Sequence, residues 1–481
     1  MQELVALTAE EIALGIRLRR WSAAEMLEAH LSRIRERNAA LNAIILLDED
    51  GARKRAAEAD AALARGEHWG PLHGVPVTIK DSLMTAGLRT TAGYEPFADC
   101  IPEHDATAVA RLRAAGAVIM GKTNLPVLAM NYQCDSPLLG RANNPWDVER
   151  TPGGSTGGGA AAVATGMSPL DIGGDIGGSV RVPAHYCGIC SFKPTEHRVS
   201  VAGDIPKSPG EPRCIRHMAT IGPLARSVPD LRMILQVIAG PDGDYWEAPP
   251  VPLDPIEVSR PRVAWADVLG DCPVTRETRD ALAAVAATLE RAGWIVERRL
   301  PDLPFDKVRE TYGQLLCCEI GSAMPPEYEP QWVRHLVEHS DDPITRGIAS
   351  CEGASMRQFT AALTARDTFI AALERFFSGY DVLLCPVSVG PAIPHCPQGT
   401  PVQVDEQSVT YWMGGLAYTT PFSVTGNPVA VLPVSRSTEG LPIGIQVIGR
   451  RWDDMRVLAV AEAIDSLHAP HRLSQPMPKQ P

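Results

Sequence analysis

Between residues 151 and 181 the chain reads TPGGSTGGGAAAVATGMSPLDIGGDIGGSVR, with a serine in each of two glycine-rich turns, Ser155 in GGSTGGG and Ser179 in DIGGSVR. Glycine admits backbone conformations that a Cβ forbids, and lets main-chain N–H groups crowd around a small anion. A serine in such a turn can sit beside its own oxyanion hole. Two of these turns, separated only by a short Ala-rich segment, predict one site and not two.

A third piece comes from LHGVPVTIKDS, where Lys80 ends an apolar run, Val75 to Ile79, that reads as a buried strand. Desolvation at such a position lowers a lysine pKa, and a neutral amine is a usable base. With their flanks these residues resemble the amidase signature hydrolases. The resemblance is carried by GVPVTIKD, GAVIMGKTN, NPWD, TPGGSTGGG, DIGGSVRVPA, GPLARSV and the block GNPVAVLPV…GLPIGIQVIG, and so spans most of the chain. It implies an α/β protein of the amidase signature fold, with a large central mixed β-sheet covered by helices on both faces. It also implies a single amidase domain over residues 1–481: helices to about 65, a signature core over about 66–240, a variable substrate-side region over about 241–400, and C-terminal strands and a helix over about 401–470.

The resemblance also assigns roles. Ser179 is the nucleophile that forms an acyl-enzyme, Ser155 is a bridging serine behind a cis peptide after Gly154, and Lys80 is the terminal base. The oxyanion donors are the N–H groups of Ile176, Gly177, Gly178 and Ser179. Ala129, Met130 and Asn131 fall where relatives place part of the acyl-side wall; Tyr132 and Cys134 read equally well as core. Asp175 and Arg181 are expected to brace the turn through an ion pair. Thr156 and Gly174 depart from the usual pattern, which commonly has serine and threonine there. No metal or organic cofactor is implied.

Composition narrows the partners. With 45% hydrophobic and 21% charged residues the chain reads as an ordinary globular protein with a sizeable core. A net charge of −12 argues against direct contact with a nucleic-acid backbone, and no twenty-residue apolar run suggests a membrane span. The N-terminus lacks a basic region followed by an apolar one, and eleven irregularly spaced cysteines fit reduced thiols, which together predict a cytoplasmic protein. Cys187 and Cys190 have redox or zinc spacing but no second pair, so core packing is expected of them. The expected partner is a small-molecule amide; a homodimer is left open.

Along the chain, Thr8/Glu11 and Ser22/Glu25 read as capping boxes of two helices, the second carrying Leu27, Leu31 and Ile34 on one face. A strand is expected over 40–47, a solvated helix over about 51–65, a helix over about 106–115, and a strand at AVIM. VAGDIPKSPGEPRC (201–214) reads as a surface loop beside the site, and EAPPVPLDP (247–255) as a connection. Scattered aromatics in 300–420, among them Trp332, Tyr411, Trp412 and Met413, read either as an apolar pocket or as core.

Two rival motifs are present. GAVIMGKT (116–123) matches the phosphate-binding loop pattern, but its interior residues are themselves a strand. GGSTG fits the GxSxG elbow, yet polar, proline-broken residues precede it where that motif needs a strand; it would also require a histidine, His185 or His104. The expectation is therefore a serine hydrolase that cleaves C–N bonds of a small to medium neutral amide, with esters or carbamates as related substrates. The alternatives are the A subunit of a tRNA-dependent amidotransferase and a non-catalytic scaffold.

Overall fold

The computed structural model describes residues 3–205, 214–243, 245–323, 329–338 and 340–468. Both N-terminal capping boxes form. In the helix Ala9–Arg17 the Thr8 side chain accepts from Glu11 N–H while the Glu11 carboxylate takes Thr8 N–H, and Ser22 and Glu25 do the same for Ala23–Leu41. Leu27, Leu31 and Ile34 are buried. The expected strand over 40–47 starts later, because the helix persists through Leu41 and Asn42 ends it in a left-handed conformation (φ 45°). The Asn38 side chain then takes the N–H groups of Ala43 and Ile44. The helix Glu49–Ala64 is not solvated all round, since Ala52, Ala56, Ala59 and Ala62 form a buried stripe at helical spacing.

The strands, in chain order, are β1 (Ile44–Leu47), β2 (Pro76–Lys80), β3 (Val118–Thr123), β4 (Leu170–Asp175), β5 (Cys190–Lys193), β6 (Thr220–Ala225), β7 (Arg262–Trp265), β8 (Ile295–Arg298), β9 (Val382–Pro386), β10 (Val402–Val404), β11 (Gln407–Val409), β12 (Val429–Arg436) and β13 (Pro442–Gly449). Among the described residues β10 and β11 pair as a separate hairpin. The other eleven form one sheet in the order β1-β3-β2-β4-β6-β5-β12-β13-β9-β7-β8. Strand β2 lies parallel to β3 and β4, and β7 parallel to β8 and β9; the remaining pairs are antiparallel. This is the large mixed sheet expected, flanked by helices. The C-terminal strands β12 and β13 insert into its middle, between β5 and β9.

This topology positions the site. Neighbouring parallel strands end on the same side of a sheet, so the last residues of β2 and β4, Lys80 and Asp175, come out together. Both strands are buried along nearly their whole length. Strand β3 runs on from AVIM through Gly121, Lys122 and Thr123, and Lys122 Nζ is consumed by Leu83 O, Thr85 Oγ1 and Thr90 Oγ1. The phosphate-loop reading fails, for its lysine is a buried strap on the 83–90 loop.

Within 300–420 the chain forms the helices Phe305–Gly321, Glu329–Val337, Pro343–Ala349 and Met356–Phe376, which surround a second core next to the site. Residues 247–255 carry no regular element, as a connection should. Of the loop expected over 201–214, residues 206–213 lie outside the described residues. Among the described residues no helix is long and apolar enough to cross a membrane.

Candidate active site

A cavity of about 600 Å³ opens where β2 and β4 end, and Lys80, Ser155 and Ser179 all line it. Lys80 Nζ donates to Ser155 Oγ at 2.6 Å, and both side chains are buried. Burial lowers the Lys80 amine from 10.5 to about 8, with Asp204, Cys134, Asp175 and Asp171 pulling it partly back. The Gly154–Ser155 peptide is cis.

Ser155 stands just before the helix Gly157–Ala164, and the glycines at its start are a packing requirement. A Cβ on Gly158 would lie 2.4 Å from the backbone of both Ala43 and Asn124, so only glycine lets this helix settle against the strand ends. The two serine turns are tied directly, because Thr156 N–H donates to Ser179 O at 3.1 Å. The Thr156 hydroxyl itself is buried and finds no partner among the described residues.

The turn after β4 is built by Asp175. Its carboxylate takes the N–H groups of Gly178 (2.8 Å) and Val180 (3.1 Å) and forms a two-pronged ion pair with Arg181 at 2.9 and 3.0 Å. Arg181 is fully buried and also donates to Thr419 O, Gln446 Oε1 and Ser423 Oγ. Burial alone would raise the Asp175 carboxyl, but the Arg181 guanidinium and the N–H donors outweigh it and hold it below the ordinary carboxylate range. The expected brace is thus present. Of the four expected donor residues, Gly178 has its N–H committed to Asp175. The N–H groups of Ile176, Gly177 and Ser179 meet no acceptor among the described residues, and these three residues line the cavity.

Ala129, Met130 and Asn131 line the cavity too. This stretch begins in a tight turn in which Leu128 and Ala129 hold left-handed conformations (φ 50° and 59°), an uncommon state for residues with a Cβ. The Asn131 side chain accepts from Tyr411 O–H and Gln133 N–H and donates to Gln398, so the wall is fixed by hydrogen bonds. Tyr132 and Trp412 reach the cavity, whereas Trp332, Tyr411 and Met413 do not. Cys134 is buried, its thiol pushed up to about 12 by burial.

Other candidates resolve as structure. Gly444 N–H donates to His185 Nδ1 at 2.7 Å, which leaves Nε2 to donate to Gly390 O at 2.9 Å; burial lowers this imidazole to about 4, so it is neutral. His104 is exposed and away from the cavity. Cys187 and Cys190 are both buried in the core.

Sequence reasoning missed a large part of the wall: Tyr94, Phe97, Tyr312, Leu316, Ile320, Ile344, Ile348 and Asp204. The aromatic pair in GYEPF gave a faint local signal. Tyr312, Leu316, Ile320, Ile344 and Ile348 come from helices whose apolar faces read as ordinary core, and Asp204 from the loop that was expected beside the site.

Three comparisons with known proteins bear on this geometry. The amidase family model matches residues 25–458. The chain is 34% identical to an indoleacetamide hydrolase of Bradyrhizobium diazoefficiens over 461 residues, covering 95% of this chain and 86% of that protein. It is 31% identical to the A subunit of the glutamyl-tRNA(Gln) amidotransferase of Geobacillus thermodenitrificans, covering 97% and 98%. The solved structure of a bacterial aryl acylamidase of the amidase signature family superposes with a TM-score of 0.83 at 25% identity, over 96% of each chain. The chain belongs to the amidase family, hydrolases of carbon–nitrogen bonds in amides.

Proposed function

We propose that this amidase works through Ser179 as nucleophile, Ser155 as proton bridge and Lys80 as base, forming an acyl-enzyme on Ser179. The observation that carries the reading is the 2.6 Å hydrogen bond from Lys80 Nζ to Ser155 Oγ inside a cavity that Ser179 also lines. In acylation Ser179 Oγ bonds to the substrate carbonyl carbon while its proton passes to Ser155 and Ser155's proton to Lys80. The N–H groups of Ile176, Gly177 and Ser179 receive the oxyanion, with Gly178 shaping their turn; such a donor is typically worth about 2.7–4 kcal/mol in the transition state. Lys80 then returns a proton to the departing amine.

The substrate we infer is a neutral amide of small to medium size carrying an aryl or alkyl group, and esters or carbamates pass through the same intermediate. Tyr94, Phe97, Tyr312 and Trp412, with aliphatic neighbours, support an apolar ligand. The 31% identity to an amidotransferase component keeps the glutaminase reading in view. Free glutamine presents a carboxylate, however, and among the described lining residues no arginine is available to it.

The experiment is fluorophosphonate labelling followed by peptide mass spectrometry. The adduct is expected on Ser179, absent in Ser179→Ala and nearly absent in Ser155→Ala and Lys80→Ala. An adduct on Ser155 sinks the assignment. Hydrolysis of neutral aryl amides by the isolated chain separates the amidase reading from the amidotransferase reading, which requires a partner.

A further inference from the structure

Two carboxylates, Asp175 and Asp204, line the cavity among the described residues. Asp175 is consumed by Arg181 and by the turn it organises. Asp204 is held from one side only: Ser82, two residues beyond Lys80, donates to Oδ1 at 2.7 Å, and Oδ2 accepts from no described residue. Oδ2 lies against Gly174, where a Cβ would stand 2.8 Å away. A glycine at 174 therefore admits the carboxylate in this position, and a side chain there would make it shift.

We propose that Asp204 is the positioning residue of the Lys80 base, a carboxylate let into the cavity by Gly174 that stabilises the ammonium formed when Lys80 accepts the bridge proton. The inference rests on Lys80 being the base. Burial keeps an amine neutral but also makes it a reluctant proton acceptor, and a nearby negative charge restores its basicity. In the step itself the Ser155 O–H bond breaks and an N–H bond forms on Lys80, as Ser155 takes the Ser179 proton; no bond to Asp204 forms or breaks.

The other acids around Lys80 do not fill this role. Cys134 stays a neutral thiol, Asp175 is paired with Arg181, and Asp171 does not line the cavity. The Asp171 carboxyl faces Thr78 and Thr123, with Lys80 and Lys122 as its charged neighbours, and burial raises it to about 7. Asp204 stands first among the charges that oppose the burial effect on Lys80.

The test is the fluorophosphonate labelling rate of Ser179 against pH for wild type, Asp204→Asn, Gly174→Thr and the double variant, each checked for its thermal midpoint. Removing or displacing the negative charge destabilises the ammonium, so the rising limb is expected to move to lower pH by about one unit in both single variants. The double variant is expected to move no further, because both changes remove one interaction. A limb that stays or moves up in Asp204→Asn, or shifts that sum in the double variant, overturns the proposal. So does an unmoved limb combined with a raised KM for cationic amides, which makes Asp204 a substrate contact. If Lys80→Ala labels with the wild-type pH dependence, it is the reading of Lys80 as base that fails.

Discussion

A buried ammonium loses the water that stabilises its charge, and at Lys80 that loss brings the amine to about 8 from 10.5. With Lys80 as the proposed base, the neutral form is the active one, so the acylation rate is expected to rise through pH about 8 and level off within about one unit above it. A rate still climbing at pH 10 would mean that the amine is not desolvated in solution. The Asp175–Arg181 pair makes a separate demand. Arg181→Met leaves a buried carboxylate without its partner and is expected to cost about 3–5 kcal/mol, read as a lowered urea midpoint. Lys80, Ser155 and Ser179 were legible in the sequence because each sits in a local pattern whose chemistry is unusual: an apolar run ending in a cation, and hydroxyls in glycine turns. Asp204 was not legible, since its place in the cavity depends on Ser82 and on the absence of a side chain at Gly174, neither of which spacing reveals.

At the scale of elements, the helix Gly157–Ala164 is the piece that fixes where the bridging serine stands. Its Gly158 touches backbone, which cannot move aside as a flexible side chain would. Gly158→Ala is thus expected to destabilise the protein by about 1–3 kcal/mol and to lower turnover together with stability; denaturant unfolding and activity on the same samples check both. Capping boxes made the first two helices readable, because the signal is local and reciprocal. The start of β1 was misread because an asparagine that ends a helix looks, in sequence, like one more residue in an apolar run. The helices of 305–376 escaped because their apolar faces pack on one another around the cavity and carry no sign of which face meets a ligand.

For the whole molecule, the order of the sheet matters more than its size. Strands β12 and β13 are among the last to be made, yet they stand between β5 and β9. A chain truncated after residue 436 is expected to lose cooperative folding altogether, measured as the loss of a sigmoidal thermal transition, not merely to shed a terminal helix. A soluble, cooperatively melting truncation would contradict this. The C-terminal strands were foreseen from the resemblance; their central place in the sheet was not, because strand order depends on long-range pairing that no local pattern encodes. That placement also bears on synthesis: as the nascent chain leaves the ribosome, β5 and β9 each wait with one bare edge until the final hairpin emerges. Over that interval the cell must keep two unpaired strands from finding the wrong neighbour, so this enzyme's yield in vivo should track chaperone supply more closely than its finished stability.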